Sequence, residues 1–116
     1  MSARQQGLNA ETRVLDFLQR QGLKPLARNV RSPRVEIDLI MEEDSTVVFV
    51  EVRMRTRGDF GSGAESVTRR KQEKLIATAA YYLQQNKPLA KRPARFDVVS
   101  VDSQDMMDWI KNAFEV

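Results

Sequence analysis

The chain has 116 residues, of which 41% are hydrophobic and 30% are charged. This length and composition predict one domain, residues 1–116, with a single hydrophobic core. The sequence contains no histidine and no cysteine. Their absence excludes disulfide bonds, zinc sites with histidine or cysteine ligands, and Ser-His-Asp or Cys-His catalytic systems. Carboxylates, amines, guanidinium groups and hydroxyls remain for chemistry, and carboxylates favour hard ions such as Mg²⁺ or Mn²⁺.

The formal net charge is +3, and the basic residues are distributed unevenly. One group lies between residues 53 and 74 and another between residues 87 and 95. Clustered positive charge is typical of surfaces that bind polyanions, so nucleic acid is the expected partner; a modestly basic soluble surface is the alternative. No apolar run approaches the ~20 residues that span a bilayer, and the first residues lack a signal-peptide pattern. The sequence therefore predicts a cytoplasmic protein with no membrane partner.

The first half of the chain is predicted to form one helix and three strands. The helix runs from about residue 5 to 21 and is ended by Gly22. Glu11 falls on its apolar stripe, between Leu8 and Leu15, where an acid is unusual; the alternative is a place at the edge of the stripe, open to solvent. The strands are predicted at residues 24–30, 35–41 and 46–54, with a polar hairpin turn at 42–45.

The second half is predicted to form a loop, a long helix, a fourth strand and a final helix. The glycine-rich loop covers residues 55–63, the long helix about 64–85, and the strand 95–101. Asp102 or Ser103 is predicted to cap the final helix. Its apolar residues, which either cap the core or form a homodimer interface, are Met106, Trp109, Ile110, Ala113 and Phe114. The order α-β-β-β-α-β-α predicts an α/β fold with a mixed sheet flanked by helices.

Acids within apolar strands are the main indication of a functional site. Asp38 lies within the stretch 35–41, and Glu51 lies within the stretch 47–53. Antiparallel pairing of these strands can place Asp38 beside Glu51, and Arg53 is predicted to share the face of Glu51. In the second strand, one face is predicted to carry Val35, Ile37, Leu39 and Met41, and the other Glu36, Asp38 and Ile40.

Two buried carboxylates repel each other, and a divalent cation bound by both removes the repulsion. Glu11 can reach the same place if the first helix covers that face. The alternative is a salt-bridge cluster without metal, in which Arg53 neutralises Asp38 or Glu51. That alternative explains one acid–base pair well, and it explains three acids on apolar elements poorly.

The acid motif resembles the PD-(D/E)XK nuclease core: Asp38, about a dozen residues, and then Glu51-Val52-Arg53. From about residue 7 to residue 114, the chain also resembles the YraN-like family of small bacterial proteins. The segments that carry this resemblance are Gly7–Glu11, Arg28–Arg31, Glu36–Ile40, Val48–Arg53, Phe60-Gly61, Lys71, Ala79–Leu83 and Arg95–Val99.

The resemblance implies a restriction-endonuclease-like core and a metal-dependent endonuclease that hydrolyses DNA phosphodiesters. Asp38 and Glu51 would bind Mg²⁺ or Mn²⁺, and Glu11 would assist from the first helix. Arg53 takes the position of a lysine that helps to orient the attacking water and stabilises the charged transition state. Arginine keeps the positive charge and can bind phosphate, but it cannot lose its proton. Val35 also replaces a glycine that is usual in the family.

Three functions remain open from the sequence. The first is the metal-dependent nuclease, with Lys71 supporting the four site residues. The second is a nucleic-acid-binding module of the same fold with little or no catalysis. The third is a small interaction protein whose acid cluster is structural. In the first two, the residues expected to contact nucleic acid are Arg55, Arg57, Arg70, Lys71 and Lys74.

Overall fold

The helices and strands follow one another along the chain in an order close to the predicted one. The computed structural model describes residues 3–55 and 67–115, with side chains from residue 10 onward. The elements are α1 (Ala3–Arg20), β1 (Lys24–Arg31), β2 (Glu36–Glu43), β3 (Thr46–Met54), α2 (Arg69–Gln85), α3 (Lys87–Ala90), β4 (Ala94–Val101) and β5 (Met107–Phe114). Most of the predicted glycine-rich loop and the predicted start of the long helix lie outside the described residues.

The strands form one mixed sheet in the order β1-β2-β3-β4-β5. β3 and β4 are parallel and are joined through α2 and α3, while the other neighbours are antiparallel. α1 packs on one face of the sheet and α2 on the other, so each face has its own hydrophobic cluster. The predicted α/β layout, a mixed sheet flanked by helices, is confirmed.

The buried stripe of α1 consists of Ala10, Val14 and Leu18, which follow one another at four-residue spacing. Glu11 lies beside this stripe and is half-buried. The helix ends at Arg20, and Gly22 lies in the turn that stops it, as predicted. Its φ of 98° lies in the left-handed region that glycine adopts without strain.

α2 begins at Arg69 because Thr68 caps it. The Thr68 hydroxyl accepts a hydrogen bond from the backbone N–H of Lys71 at 3.2 Å. Leu75 and Ala79 are buried in the hydrophobic cluster on the α2 side of the sheet. In the first turn of the helix, Lys71 contacts Glu51 of β3, so the start of α2 lies next to this acid.

The last element is a strand, so the predicted final helix is wrong. β5 pairs antiparallel with β4, and Val99 lies opposite Trp109. Asp102 does act as a capping residue, but its Oδ1 accepts the backbone N–H groups of Gln104 and Met106 in the hairpin turn, each at 2.9 Å. The open edge of β4 needs a partner, and this pairing overrides the helical spacing of the apolar residues. The apolar residues predicted for this helix therefore lie in or beside an edge strand, and Trp109, Ala113 and Phe114 pack on the two hydrophobic clusters.

Side-chain alternation breaks in the middle of β2, which also corrects a prediction. Ile37 packs in the cluster on the α2 side, while Leu39 packs in the cluster on the α1 side, so these two residues do not share a face. The paired strand shows the same break, because Ala27 and Val30, three residues apart, both pack on the α2 side. Between them Asn29 adopts a left-handed φ of 53°, a conformation that asparagine tolerates.

Among the described residues, no helix is both long and apolar enough to cross a membrane.

Candidate functional site

The candidate site lies where β2 and β3 separate. The two strands pair from Glu43 opposite Thr46 to Leu39 opposite Val50, and one step further in the same register places Asp38 opposite Glu51. There the side chain of Asp38 takes over from the backbone: its Oδ2 accepts the Val52 N–H at 2.8 Å. The predicted pairing of Asp38 with Glu51 therefore has its structural basis at the end of this strand pair.

Glu51 is buried on the α2 side of the sheet, with 6% of its surface exposed. Its Oε1 accepts a hydrogen bond from the ammonium group of Lys71 at 2.9 Å. Its Oε2 is fully buried and has no hydrogen-bond partner among the described residues. A buried carboxylate oxygen without a partner is costly, so a hydrogen-bond donor or a cation at this position is favourable.

The carboxyl group of Asp38 is a strongly perturbed acid. Burial, and then the negative charge of Glu51, raise its pKa from 3.8 to about 8. The hydrogen bond from Val52 N–H and the positive charge of Lys71 oppose this rise but do not cancel it. At neutral pH and without a cation, Asp38 therefore retains a proton.

Two glutamates complete an acidic cluster around Asp38. One oxygen each from Glu11, Glu36 and Asp38 lie within 4.8 Å of one another. Burial raises the pKa of Glu11; its hydrogen bond with Asp38 lowers that pKa, and the nearby charges of Glu36 and Glu51 raise it again. Since metal–oxygen bonds of Mg²⁺ are ~2.1 Å long, oxygens up to ~4.2 Å apart can share one ion. The spacing therefore fits a divalent cation after small side-chain rotations.

Asn29 and Arg31 hold the second glutamate of the cluster. The amide orientation that satisfies its neighbours places the Asn29 nitrogen 3.0 Å from Glu11 Oε2 and 2.7 Å from Glu36 Oε1, and it donates to both. Arg31 Nε donates to Glu36 Oε2 at 2.9 Å. Glu36 and Asn29 were not among the site residues predicted from the sequence. The alternation that paired Glu36 with Asp38 on one strand face was the available signal for Glu36, whereas nothing in the sequence indicated Asn29.

The predicted cations divide into those at the acids and those away from them. Lys71, expected as a supporting residue, forms the ion pair with Glu51, while Arg53 is half-buried two residues after Glu51 on β3. Arg55 pairs with Asp108 of β5 at 3.2 Å. Of the remaining residues, Arg70 is exposed, Lys74 lies one turn after Lys71 on α2, and Arg57 lies outside the described residues.

The donor set fits a hard divalent ion. Glu11, Glu36 and Asp38 bring carboxylate oxygens from α1 and β2 within 4.8 Å of one another, and the negative charge of Glu51 on β3 acts on Asp38. A divalent ion bound there favours the ionised form of Asp38. The predicted ligands Asp38 and Glu51 are thus neighbours, and the structure adds Glu36 to the acids within reach.

The fold and the site define a class of protein. It is a small mixed α/β protein with a carboxylate cluster where two central strands separate, and a lysine forms an ion pair with one of the acids. The sequence pattern of the uncharacterised protein family UPF0102 matches residues 10–101. The chain belongs to this family, which confirms the YraN-like resemblance.

Similar bacterial proteins match almost end to end. A UPF0102 protein of Pseudomonas fluorescens is 47% identical over 96% of this chain and 93% of its own length. UPF0102 proteins of Saccharophagus degradans and Coxiella burnetii are 48% and 46% identical over 93% and 95% of this chain, and over 91% and 92% of their own lengths.

Proposed function

We propose that this protein binds nucleic acid and is a Mg²⁺- or Mn²⁺-dependent endonuclease that hydrolyses DNA phosphodiesters in the bacterial cytoplasm. The observation that carries the proposal is the buried Oε2 of Glu51, which has no hydrogen-bond partner among the described residues and lies near a second carboxyl group, Asp38. Most buried polar atoms in native proteins have a partner, so this oxygen supports a bound cation. The restriction-endonuclease-like core inferred from the acid motif belongs to the same proposal.

Each acid has a proposed role. Asp38 and Glu51 bind the metal, and Glu11 assists from α1. A bound ion would act as a Lewis acid on the phosphate oxygen and would lower the pKa of a water molecule. Glu36, held by Asn29 and Arg31, keeps negative charge next to the ion.

The cations act on the charge of the phosphate. Lys71 already reaches Glu51 at 2.9 Å, so its ammonium lies at the metal site and can stabilise the extra negative charge of the transition state. It can also release a proton, which Arg53 cannot. We therefore assign to Lys71 the lysine role that the motif places at residue 53, and to Arg53 a permanent positive charge.

A cleavage assay tests the proposal. Wild-type protein is incubated with plasmid DNA and with branched DNA in the presence of Mn²⁺, beside Asp38→Ala and Glu51→Ala. Each substitution is expected to reduce cleavage by at least ~100-fold, because each removes a ligand of the ion. The matched control is Glu73→Ala, which removes an exposed acid of α2 and is expected to leave cleavage unchanged. Cleavage that survives both site substitutions would contradict the assigned site.

The second candidate function is a nucleic-acid-binding module without catalysis. The ion pair between Lys71 and Glu51 favours it, because it neutralises one acid without a metal. In that case DNA binding weakens steeply with salt, no cleavage occurs, and calorimetry detects no Mn²⁺ binding. Absence of both metal binding and DNA binding would instead identify a structural acid cluster in an interaction protein.

A further inference from the structure

A groove separates the β1–β2 turn from α2, next to the acidic cluster. Its volume is about 420 Å³. Arg31, Ser32 and Arg34 line it from the turn, and Lys74, Thr78 and Tyr81 line it from the helix. Arg31 connects the groove to the candidate site, since its guanidinium also binds Glu36 of the acidic cluster at 2.9 Å.

The floor of the groove is fixed by a contact between the turn and the helix. Thr78 is buried on α2, and its Oγ1 lies 2.9 Å from Ser32 Oγ. The Ser32 hydroxyl in turn accepts the backbone N–H groups of Arg34 and Val35 at 3.2 Å each. The hydroxyls of the buried Thr78 and the half-buried Ser32 therefore hold the turn against α2, so the groove exists before any ligand binds.

Two cations of the groove are available for an anion. Arg34 is exposed and Lys74 is half-buried, and neither forms an ion pair with a residue in the described part of the chain. Arg31, at the edge of the same groove, is already paired with Glu36. Cations in a concave surface without acidic partners favour a phosphate group.

An aromatic ring lies at the far end of the same groove. Tyr81 is 61% exposed, which is high for a ring of its size. Lys71, Lys74, Thr78 and Tyr81 follow one another at spacings of three, four and three residues, so they form one stripe of α2. Ten residues of helix span ~15 Å. At ~3.4 Å per stacked base, this length matches a few nucleotides of one strand.

We propose that this groove binds an unpaired nucleotide of the DNA strand that enters the acidic site, with its phosphate at Arg34 and Lys74 and its base stacked on Tyr81. The inference rests on the proposed function and specifies the substrate class: DNA with a single-stranded segment next to the phosphodiester that is hydrolysed. The bases of an intact duplex are stacked on each other, so only an unpaired base offers a free face to the tyrosine ring.

Binding without cleavage tests the groove. Fluorescence anisotropy in the presence of a chelator compares a labelled single strand, a blunt duplex and a duplex with a single-stranded flap. Tyr81→Ala is expected to weaken binding of the single strand and the flap about tenfold and to change duplex binding by less than about twofold. Tyr81→Phe keeps the ring and is expected to bind as the wild type does.

The charge contribution has its own matched control. Arg34→Ala and Lys74→Ala are each expected to reduce the salt dependence of single-strand binding by about one phosphate contact. Lys87→Ala removes one positive charge from α3, outside the groove, and is expected to leave the salt dependence of single-strand binding unchanged. Equal single-strand binding by wild type and Tyr81→Ala would overturn the proposal that the groove binds an unpaired nucleotide. An equal loss of salt dependence in Lys87→Ala would also overturn it.

The two proposals fail in different ways. Single-strand binding that depends on Tyr81, in a protein that does not cleave with Mn²⁺, overturns the nuclease function and supports the groove. Cleavage that requires Asp38, together with single-strand binding that does not change in Tyr81→Ala, overturns the proposed role of the groove. The nuclease function then stays in place.

Discussion

The sheet buries two carboxylates that differ in one respect. Asp97 on β4 has no exposed surface, and Glu51 on the adjacent β3 has 6%. Each oxygen of Asp97 accepts two hydrogen bonds, whereas Glu51 has one oxygen with a partner and one without among the described residues. Burial is equal in practice, so hydrogen-bond saturation distinguishes the two acids.

The partners of Asp97 show what a structural acid requires. Arg95 donates to both of its oxygens, at 2.9 and 3.2 Å. Trp109 Nε1 and the Asn112 N–H, both from β5, donate at 2.9 and 3.0 Å. The acid thus fixes the edge strand to the sheet, and nothing remains for a ligand to bind. Around Asp38 the neighbours are mostly other acids. A cation bound there would therefore be attracted by several negative charges that the protein does not neutralise itself.

The largest expected effect separates the two acids by their contribution to stability. Asp97→Asn turns one acceptor oxygen into an NH2 group that faces hydrogen-bond donors, and it leaves Arg95 with Glu43 as its remaining carboxylate among the described residues. It is expected to lower the free energy of unfolding by about 3 kcal/mol. Asp38→Asn keeps an oxygen for the Val52 N–H and removes the free-energy cost of keeping a buried carboxyl group protonated, so it is expected to cost less than about 1 kcal/mol or to stabilise. Urea unfolding at pH 7.5 in the presence of a chelator measures both.

A surface acid of β5 provides the control for this comparison. Asp108 pairs with Arg55 in an exposed ion pair, so Asp108→Asn is expected to cost less than about 1 kcal/mol. If Asp38→Asn costs as much as Asp97→Asn, both acids are structural and the contrast between them is lost.

Metal ions provide the second test of the contrast. Mn²⁺ at 100 times its dissociation constant is expected to raise the free energy of unfolding by about 2.7 kcal/mol. The gain should persist in Glu73→Ala and disappear in Asp38→Asn. Because Asp38 must ionise to bind the ion, binding at pH 7 should release a proton, which calorimetry in two buffers of different ionisation enthalpy detects. An equal gain in Asp38→Asn would place the ion elsewhere.

A smaller effect is expected in the pH dependence of stability without metal. The pKa of Asp38 is raised from 3.8 to about 8, so the folded protein keeps a proton that the unfolded chain loses. Stability contributed by this group is therefore complete below about pH 4 and is lost as the pH rises toward about 8. Asp38→Asn is expected to remove at least about 1 kcal/mol of this decline between pH 5 and pH 8. Parallel wild-type and variant curves would contradict the shifted pKa.

The sequence alone shows the same local pattern around both acids, so it does not distinguish the structural acid from the site acid. Asp97 and Glu51 each lie in an apolar strand, and each has an arginine two residues away, Arg95 or Arg53. In the fold, Arg95 binds its acid, while the ammonium at Glu51 comes from Lys71 in another element. Strand periodicity fixes local faces, but which cation reaches an acid depends on how helices pack across the sheet.

Two local features explain the other differences from the sequence predictions. β3 has the predicted bounds, Thr46–Met54, because its pattern is mostly apolar and agrees with its central place in the sheet. The segment after Asp102 has helical spacing, yet it forms β5 because β4 offers an unpaired edge. The face of Ile37 and the inclusion of Glu36 depend on the left-handed Asn29, a conformation that periodicity does not reveal.

The smallest expected effect compares two left-handed asparagines, one at the acidic cluster around Asp38 and one at Asp97. Asn29 and Asn112 have φ values of 53° and 52°. Glycine adopts this conformation freely, so replacing either residue with glycine removes only the side chain. Asn29→Gly loses the two hydrogen bonds to Glu11 and Glu36 and is expected to cost about 1 kcal/mol in metal-free protein. Asn112→Gly keeps the backbone N–H that binds Asp97 and is expected to change stability by less than about 0.5 kcal/mol.

Urea unfolding of the two glycine variants, with and without Mn²⁺, completes this comparison. Asn29 reduces the repulsion between two glutamates by hydrogen bonding, and a bound cation reduces the same repulsion by its charge. Mn²⁺ should therefore recover part of the loss in Asn29→Gly and leave Asn112→Gly unaffected. A loss in Asn29→Gly that Mn²⁺ does not change would mean that the amide supports the backbone rather than the acids. That result would remove Glu36 from the candidate site and leave Asp38, Glu51 and Glu11 as the acids around the ion.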